Sequence, residues 1–150
     1  MAKFKAAAVF SSNMVLQRDK NVRVFGTGKD GESIIVSICG NTAVTQVADE
    51  KWCVTLPAMK EGGPYEMKIS NGDETIVFGN VMIGEVWLAG GQSNMELELQ
   101  NCTGGKEHLA NDKTENVRYY YTQKNCNMDE KFFRDEENTG WSCFDCESAR

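Results

Sequence analysis

Ser93 stands in the run Gly90-Gly91-Gln92-Ser93-Asn94-Met95, directly after the apolar stretch Val86-Trp87-Leu88-Ala89. A serine hydroxyl is a weak nucleophile until a base takes its proton and donors stabilise the oxyanion. That chemistry favours a serine just past a strand, where a glycine-rich bend exposes the side chain and leaves backbone N–H groups unpaired. Gly90, Gly91 and Ser93 fit this description. Met95 occupies the last glycine position of a Gly-x-Ser-x-Gly elbow, so the run is not that motif. Asn94 offers a local hydrogen-bonding group, and Met95 an apolar residue to pack under the loop. A second reading stays open, in which Ser93 caps a helix starting at Asn94 and Glu96 supplies the N3 acceptor of a Ser-x-x-Glu box.

Other candidate groups are thinner. His108 is the one histidine; it follows Ser93 by 15 residues in the polar stretch Gly104-Gly105-Lys106-Glu107-His108-Leu109. Cys143-Phe144-Asp145-Cys146 is a C-x2-C pair, but Cys102 and Cys126 lack the close spacing of a second zinc-binding pair. Glu96 and Glu98 are two residues apart and do not share a helix face, which argues against a glycosidase pair. Gly26-Thr27-Gly28-Lys29-Asp30-Gly31 lacks the Gly-Lys-Ser/Thr ending of a phosphate loop and reads as a hairpin turn. No metal or cofactor is expected.

The elements that must position Ser93 begin with short strands. Val22–Phe25, Glu32–Ile38, Thr42–Val47 and Lys51–Leu56 are separated by turn residues at Lys29–Gly31, Gly40–Asn41 and Asp49–Glu50. Trp52/Val54/Leu56 and Tyr65/Met67/Ile69 alternate with a period of two. Asn71-Gly72 is a hairpin signal joining the second of these rows to Glu74–Phe78. Such spacing predicts an antiparallel sandwich or barrel over residues 1–80. Val86–Ala89 differs: an all-apolar run closed by glycines reads as a buried parallel strand of an α/β sheet that starts near residue 81. Beyond Leu99 the sequence is mostly polar. Val117–Thr122 reads as one further strand, Asn125–Asn138 as a charged loop, and the sheet that would cover Val86–Ala89 is left incomplete.

Composition narrows the function class. The net charge of −6 argues against nucleic acid, which needs a basic surface. Residues 1–80 carry 9 basic and 9 acidic side chains, whereas residues 81–150 carry 7 and 13, consistent with a change of character near residue 80. No apolar run approaches the roughly 18 residues of a membrane span, and the N-terminal apolar stretch is short for a signal peptide. A cytoplasmic location is therefore expected. Six cysteines (Cys39, Cys53, Cys102, Cys126, Cys143, Cys146) are then expected as thiols, with Cys39 and Cys53 as small hydrophobes within strands.

The longer stretch Val81-Met82-Ile83-Gly84-Glu85-Val86-Trp87-Leu88-Ala89-Gly90-Gly91-Gln92-Ser93-Asn94-Met95-Glu96 resembles the sialate O-acetylesterase and related carbohydrate acetylesterase family, a branch of the SGNH/GDSL hydrolases. Family members carry Gly-Asp-Val-Trp-Leu followed by Ser-Gly-Gln-Ser-Asn-Met-Glu; here Glu85 replaces the aspartate and Gly90 the first serine. Ser12–Arg18, Val24–Gly28, Gly31-Glu32, Lys51–Pro57, Gly62–Tyr65, Asn116–Arg118 and Trp141 also look like family landmarks. The resemblance implies Ser93 as nucleophile, with its own N–H in the oxyanion hole and Gly91, Gln92 and Asn94 shaping the loop. It implies an acetylated sugar or sialic acid as substrate, and a flavodoxin-like α/β hydrolase domain over 81–150 behind the β-rich N-terminal domain. In the family the remaining oxyanion donors, the general-base histidine and its aspartate come from later segments. None of these is matched here, so the chain is expected to be an incomplete fragment, inactive alone.

The alternative is a non-catalytic carbohydrate-binding or structural β module, with Trp52 or Tyr65 stacking on sugar. Both residues head alternating apolar rows, where burial is the simpler account. The oligomeric state is not fixed by these residues.

Overall fold

A computed structural model describes residues 2–111, 116–122 and 138–144. Cys126, Cys146 and most of the charged stretch 125–138 lie outside them. Eight strands occupy the first 84 residues: β1 (Lys5–Ala6), β2 (Val15–Gln17), β3 (Val22–Thr27), β4 (Ser33–Ile38), β5 (Asn41–Gln46), β6 (Lys51–Leu56), β7 (Gly62–Ser70) and β8 (Thr75–Gly84). They form a three-stranded sheet in the order β1-β3-β6 and a five-stranded, curled sheet in the order β2-β8-β7-β4-β5.

Alternation decides which side of each strand is buried. In β6, Trp52, Val54 and Leu56 point inward while Lys51, Cys53 and Thr55 face out. In β4, Ile34, Val36 and Ile38 are buried, and β7 adds Met67 and Ile69. Both sheets contribute to one apolar cluster that also takes Phe4, Phe10, Met14, Leu16, Val81 and Ile83. Burying each such side chain contributes about 1.5–3 kcal/mol before conformational entropy is counted. Cys53, expected as a core hydrophobe, is exposed because it occupies the outward register of β6. Cys39 is exposed in a turn.

The turns carry the residues that tolerate a left-handed backbone. Cys39 and Gly40 (φ 51° and 73°) join β4 to β5, one residue earlier than Gly40-Asn41. Asp49 and Glu50 (φ 54° and 59°) join β5 to β6. Between β7 and β8, Asn71 Oδ1 accepts from the N–H groups of Asp73 (3.2 Å) and Glu74 (2.8 Å), the side-chain mimicry that makes asparagine a turn residue. The segment between β3 and β4 does contain a tight turn at Lys29–Gly31, but it is not a hairpin. It carries the chain from one sheet to the other, because β3 pairs with β6 and β4 with β5 and β7.

Gly26 requires its missing side chain. A Cβ there would lie 2.0 Å from the Lys5 carbonyl oxygen and 2.6 Å from Cζ2 of Trp52. β1 and the indole therefore close over β3 only because position 26 is bare. The indole Nε1 donates to the Thr27 carbonyl at 2.9 Å, which satisfies the polar edge of a ring only 3% exposed.

Two features depart from the sequence reading. β8 is one strand: Val81–Gly84, expected to open a new unit, continue the hairpin strand and pair with both β7 and β2. The β2–β8 pairing is parallel (Val15↔Met82, Leu16↔Ile83, Gln17↔Gly84) within an otherwise antiparallel sheet. Parallel partners need a long crossover, here most of the β-rich unit itself.

After Gly84 the elements are short: 3-10 turns at Ser93–Glu96 and Leu99–Asn101, helix α1 (Gly105–Asn111), and strands β9 (Arg118–Tyr120) and β10 (Trp141–Cys143), which pair with each other. The β9–β10 ribbon docks on the corner made by residues 9–13 and 79–80. Arg118 donates to the main-chain oxygens of Asn13 (3.1 Å) and Asn80, and to Asn80 Oδ1 (2.9 Å). Asn80 Nδ2 in turn donates to Asn13 Oδ1 at 2.8 Å. Both asparagines are left-handed (φ 69° and 56°), which turns their carbonyls toward one guanidinium. Trp141 Nε1 donates to the Val9 carbonyl at 2.8 Å, and the ring packs against the apolar cluster.

Candidate active site

Ser93 is exposed at the first position of the 3-10 turn Ser93–Glu96. The flanking position belongs to Gln92 (φ −103°, ψ −137°), which makes no side-chain capping bond, while its carbonyl accepts from Met95 N at 2.9 Å. Ser93 is therefore not the cap of a helix starting at Asn94, because the turn already includes it. Gly91 lies under Met95: a Cβ there would be 3.0 Å from Met95 Cγ. The methionine thus folds back on the glycine bend, as a packing residue would, although about half of it remains exposed. Gln92 and Asn94 are exposed on either side of Ser93.

The run before this turn differs most from expectation. Val86–Ala89 is not a buried strand. It has no strand partner among the described residues; Val86 is 41% exposed, Trp87 85% and Leu88 fully. The physical reason is that an apolar run becomes a central strand only when neighbours pair its edges and elements cover its faces. Its composition suits such a place, and none of the described residues fills it.

Among the described residues, the run is tied down only where it leaves β8. Arg18 N donates to the Gly84 carbonyl at 2.9 Å. Gln17 uses both ends of its amide, accepting from Val86 N at 3.0 Å and donating to Glu85 Oε2 at 3.1 Å. Arg18 Nε donates to Glu85 Oε1 at 2.7 Å, and its Nη1 to Glu61 Oε2 at 3.1 Å. Asp19 bonds Lys60 Nζ at 2.6 Å. The Arg18 hydrogen bond holds the Glu85 carboxyl below its usual range, with Gln17 adding to the effect. Arg18 is raised in return, first by Glu85 and then by Glu61. The Lys60 bond holds Asp19 low as well. Beside this network lies an open recess of about 350 Å³ lined by Gln17, Arg18, Asp19, Lys20, Glu85, Val86 and Trp87. Of its charged members, only Glu85 was singled out from sequence, as a departure from the family aspartate. Arg18 appeared there as a landmark with no role. The signal that pairs them is the parallel register of β2 and β8, which no local pattern encodes.

The remaining candidates do not converge on Ser93. His108 is on the exposed side of α1, opposite in burial to Leu109 and Gly105. Cys143 lies in β10, while Cys146 is outside the described residues. No cluster of three or more metal-ligating side chains occurs among the described residues. Trp52 is buried and Tyr65 half-buried, so neither offers an open stacking face. No helix among the described residues is long and apolar enough to cross a membrane.

A β-rich unit that leads into an exposed serine turn defines a class when set beside known structures. A carbohydrate acetylesterase from Xanthomonas citri superposes with a TM-score of 0.81 and 27% identity, over 97% of this chain and 33% of that one. Among curated proteins, the mouse sialate O-acetylesterase is 31% identical over 119 residues, and the human one 29% over 120. No family model matches the chain. The chain belongs with the sialate O-acetylesterase family. It spans 22% of the mouse protein's length and 23% of the human protein's, with 71% and 72% of its own residues aligned.

Proposed function

We propose that this chain is part of a carbohydrate O-acetylesterase in which Ser93 is the nucleophile. The reading is carried by one observation: Ser93 sits exposed in a turn immediately after a glycine bend, with its side chain not committed to capping. The named relatives and the Xanthomonas structure support the substrate class. In the reaction Ser93 Oγ attacks the acetyl carbonyl as a base removes its proton, and the charge on the carbonyl oxygen falls on backbone N–H groups that include that of Ser93. Collapse expels the sugar hydroxyl, protonated by the same base, and leaves an acetyl-serine. Water, deprotonated by that base, then releases acetate and restores the serine.

Gly91, Gln92 and Asn94 shape the loop in this proposal, and the base comes from outside the described residues. We further propose that residues 1–84 form a β-sandwich module. The SGNH-type α/β unit would start after Gly84 rather than at residue 81, because Val81–Gly84 are committed to β8. In that reading Val86–Ala89 is the first strand of the second unit and pairs once its neighbours are present. The test is hydrolysis of an O-acetylated sugar by the whole esterase of which this chain is proposed to be part, and by its Ser93→Ala variant. Loss of turnover in the variant, with an unchanged circular dichroism spectrum, is expected. Equal rates would remove Ser93 from the mechanism.

A further inference from the structure

We infer that Gln17 and Arg18, at the end of β2, are positioning residues for the serine loop, acting through Glu85 and Val86. This rests on the nucleophile reading of Ser93. Three observations lead to it. First, Gln17 engages adjacent residues with one amide group: its oxygen takes the Val86 N–H at 3.0 Å, and its nitrogen reaches Glu85 Oε2 at 3.1 Å. Such a double contact fixes the rotation of the chain about Glu85, which neither bond alone would do. Second, Arg18 holds the other oxygen of the same carboxylate at 2.7 Å while its backbone N–H holds the Gly84 carbonyl at 2.9 Å. The side chain and backbone of two consecutive residues thus grip three consecutive residues of the departing chain. Third, Gly84 is the last residue of β8, and Trp87–Gly91 belongs to no strand or helix. The direction taken by the serine loop is therefore set at residues 84–86.

The geometry shows why this grip matters for catalysis. The six residue-to-residue steps from Trp87 to Ser93, fully extended, reach at most about 20 Å. At that radius a swing of about 3° at the exit displaces the hydroxyl by about 1 Å, and misplacement of that size can cost about 100-fold in rate. Arg18 is itself steadied by Glu61, and the neighbouring Asp19 by Lys60, so the grip is anchored to the β7 side of the sheet. The unit works as a brace between the β-rich module and the reacting serine. No part of it needs to touch substrate.

The experiment uses the whole esterase of which this chain is proposed to be part and three variants, Gln17→Ala, Arg18→Ala and Arg18→Lys, with two readouts. Amide exchange at Val86, followed by NMR, reports the brace directly. Loss of the Gln17 hydrogen bond should speed it about tenfold while Ile83 and Ile69 keep their protection. Turnover of an O-acetylated sugar reports positioning: kcat should fall 10- to 100-fold with KM little changed, and Arg18→Lys should recover part of the loss. Unchanged Val86 exchange in Gln17→Ala overturns the brace. Faster exchange with kcat unaffected, in a protein that Ser93→Ala inactivates, overturns its role in positioning. If Ser93→Ala turns over like the parent, the nucleophile reading falls instead, and the positioning role falls with it whatever the exchange shows.

Discussion

Substituting Gly26 by alanine tests how the N-terminal strand is held. The new Cβ would meet the Lys5 carbonyl oxygen at 2.0 Å, Ala6 Cα at 2.9 Å and Trp52 Cζ2 at 2.6 Å. Two of these are backbone atoms of β1 and the third is the edge of a packed indole, so none yields cheaply. The least costly response is for β1 to peel away from β3, which loses the pairing Lys5↔Thr27 and Ala6↔Gly26. Phe4, only 7% exposed, would leave the core with it. Re-exposing that ring costs about 1.5–3 kcal/mol, and each ladder hydrogen bond lost adds a net ~1 kcal/mol. A destabilisation of about 3 kcal/mol follows, which at a urea m-value near 2 kcal/mol/M lowers the midpoint by about 1.5 M. Urea titration followed by tryptophan fluorescence measures it. Phe4→Ala supplies the mechanistic control: once β1 has been released, truncating Phe4 costs little more, so the double variant should be clearly sub-additive. A midpoint within 0.2 M of the parent (roughly 0.4 kcal/mol on that slope) would refute the close approach, and full additivity would refute the release of β1.

Two further outcomes are expected. Trp52→Phe removes the indole N–H from the Thr27 carbonyl and shrinks a buried ring, and should cost about 1–3 kcal/mol in the same titration. The grip on the serine loop should also depend on acidity. Glu85 is held below its ordinary value by Arg18 and Gln17, so its contribution is complete at neutral pH and is lost as pH falls through the depressed folded value. Val86 amide exchange should accelerate, relative to the intrinsic rate, below the ordinary carboxylate range. In Glu85→Gln that acid-dependent step should be absent, and its persistence would assign the titration to another group.

The β-rich unit was legible because two-residue periodicity is a local signal. Trp52/Val54/Leu56 and Tyr65/Met67/Ile69 announce a buried face without reference to any other strand, and Asn71-Gly72 announces its own turn. What the pattern could not supply was pairing. Nothing near Val15–Gln17 says that it runs parallel to Met82–Gly84, and nothing in Gly26–Gly31 says that its turn crosses between sheets. For Val86–Ala89 the local signal was real but conditional, since apolar composition describes the place a strand would occupy and not whether its neighbours are there. The candidate site divides in the same way. Ser93 was visible from its glycine bend and its resemblance to a family, whereas Gln17 and Arg18 acquire a role only through contacts 67 to 69 residues away. Asn13 and Arg118 fall within stretches that resemble the family and Asn80 does not, but no local pattern says that one guanidinium joins the three.

The parallel contact of β2 with β8 also bears on how the molecule is made. Val15 meets Met82 across 67 residues, so this pairing closes the largest loop in the five-stranded sheet. The hairpins between can form as their strands appear, but β2 must wait for the end of β8. On a ribosome the early strand would leave the exit tunnel long before its partner. Non-local closure of this kind is slow compared with hairpin formation. Gln17 and Arg18 reach Glu85 and Val86 only when that closure happens. The last act of sheet assembly and the fixing of the chain where it leaves β8 are thus one event, and a chain stalled before it would have its hairpins but an unanchored Ser93 segment.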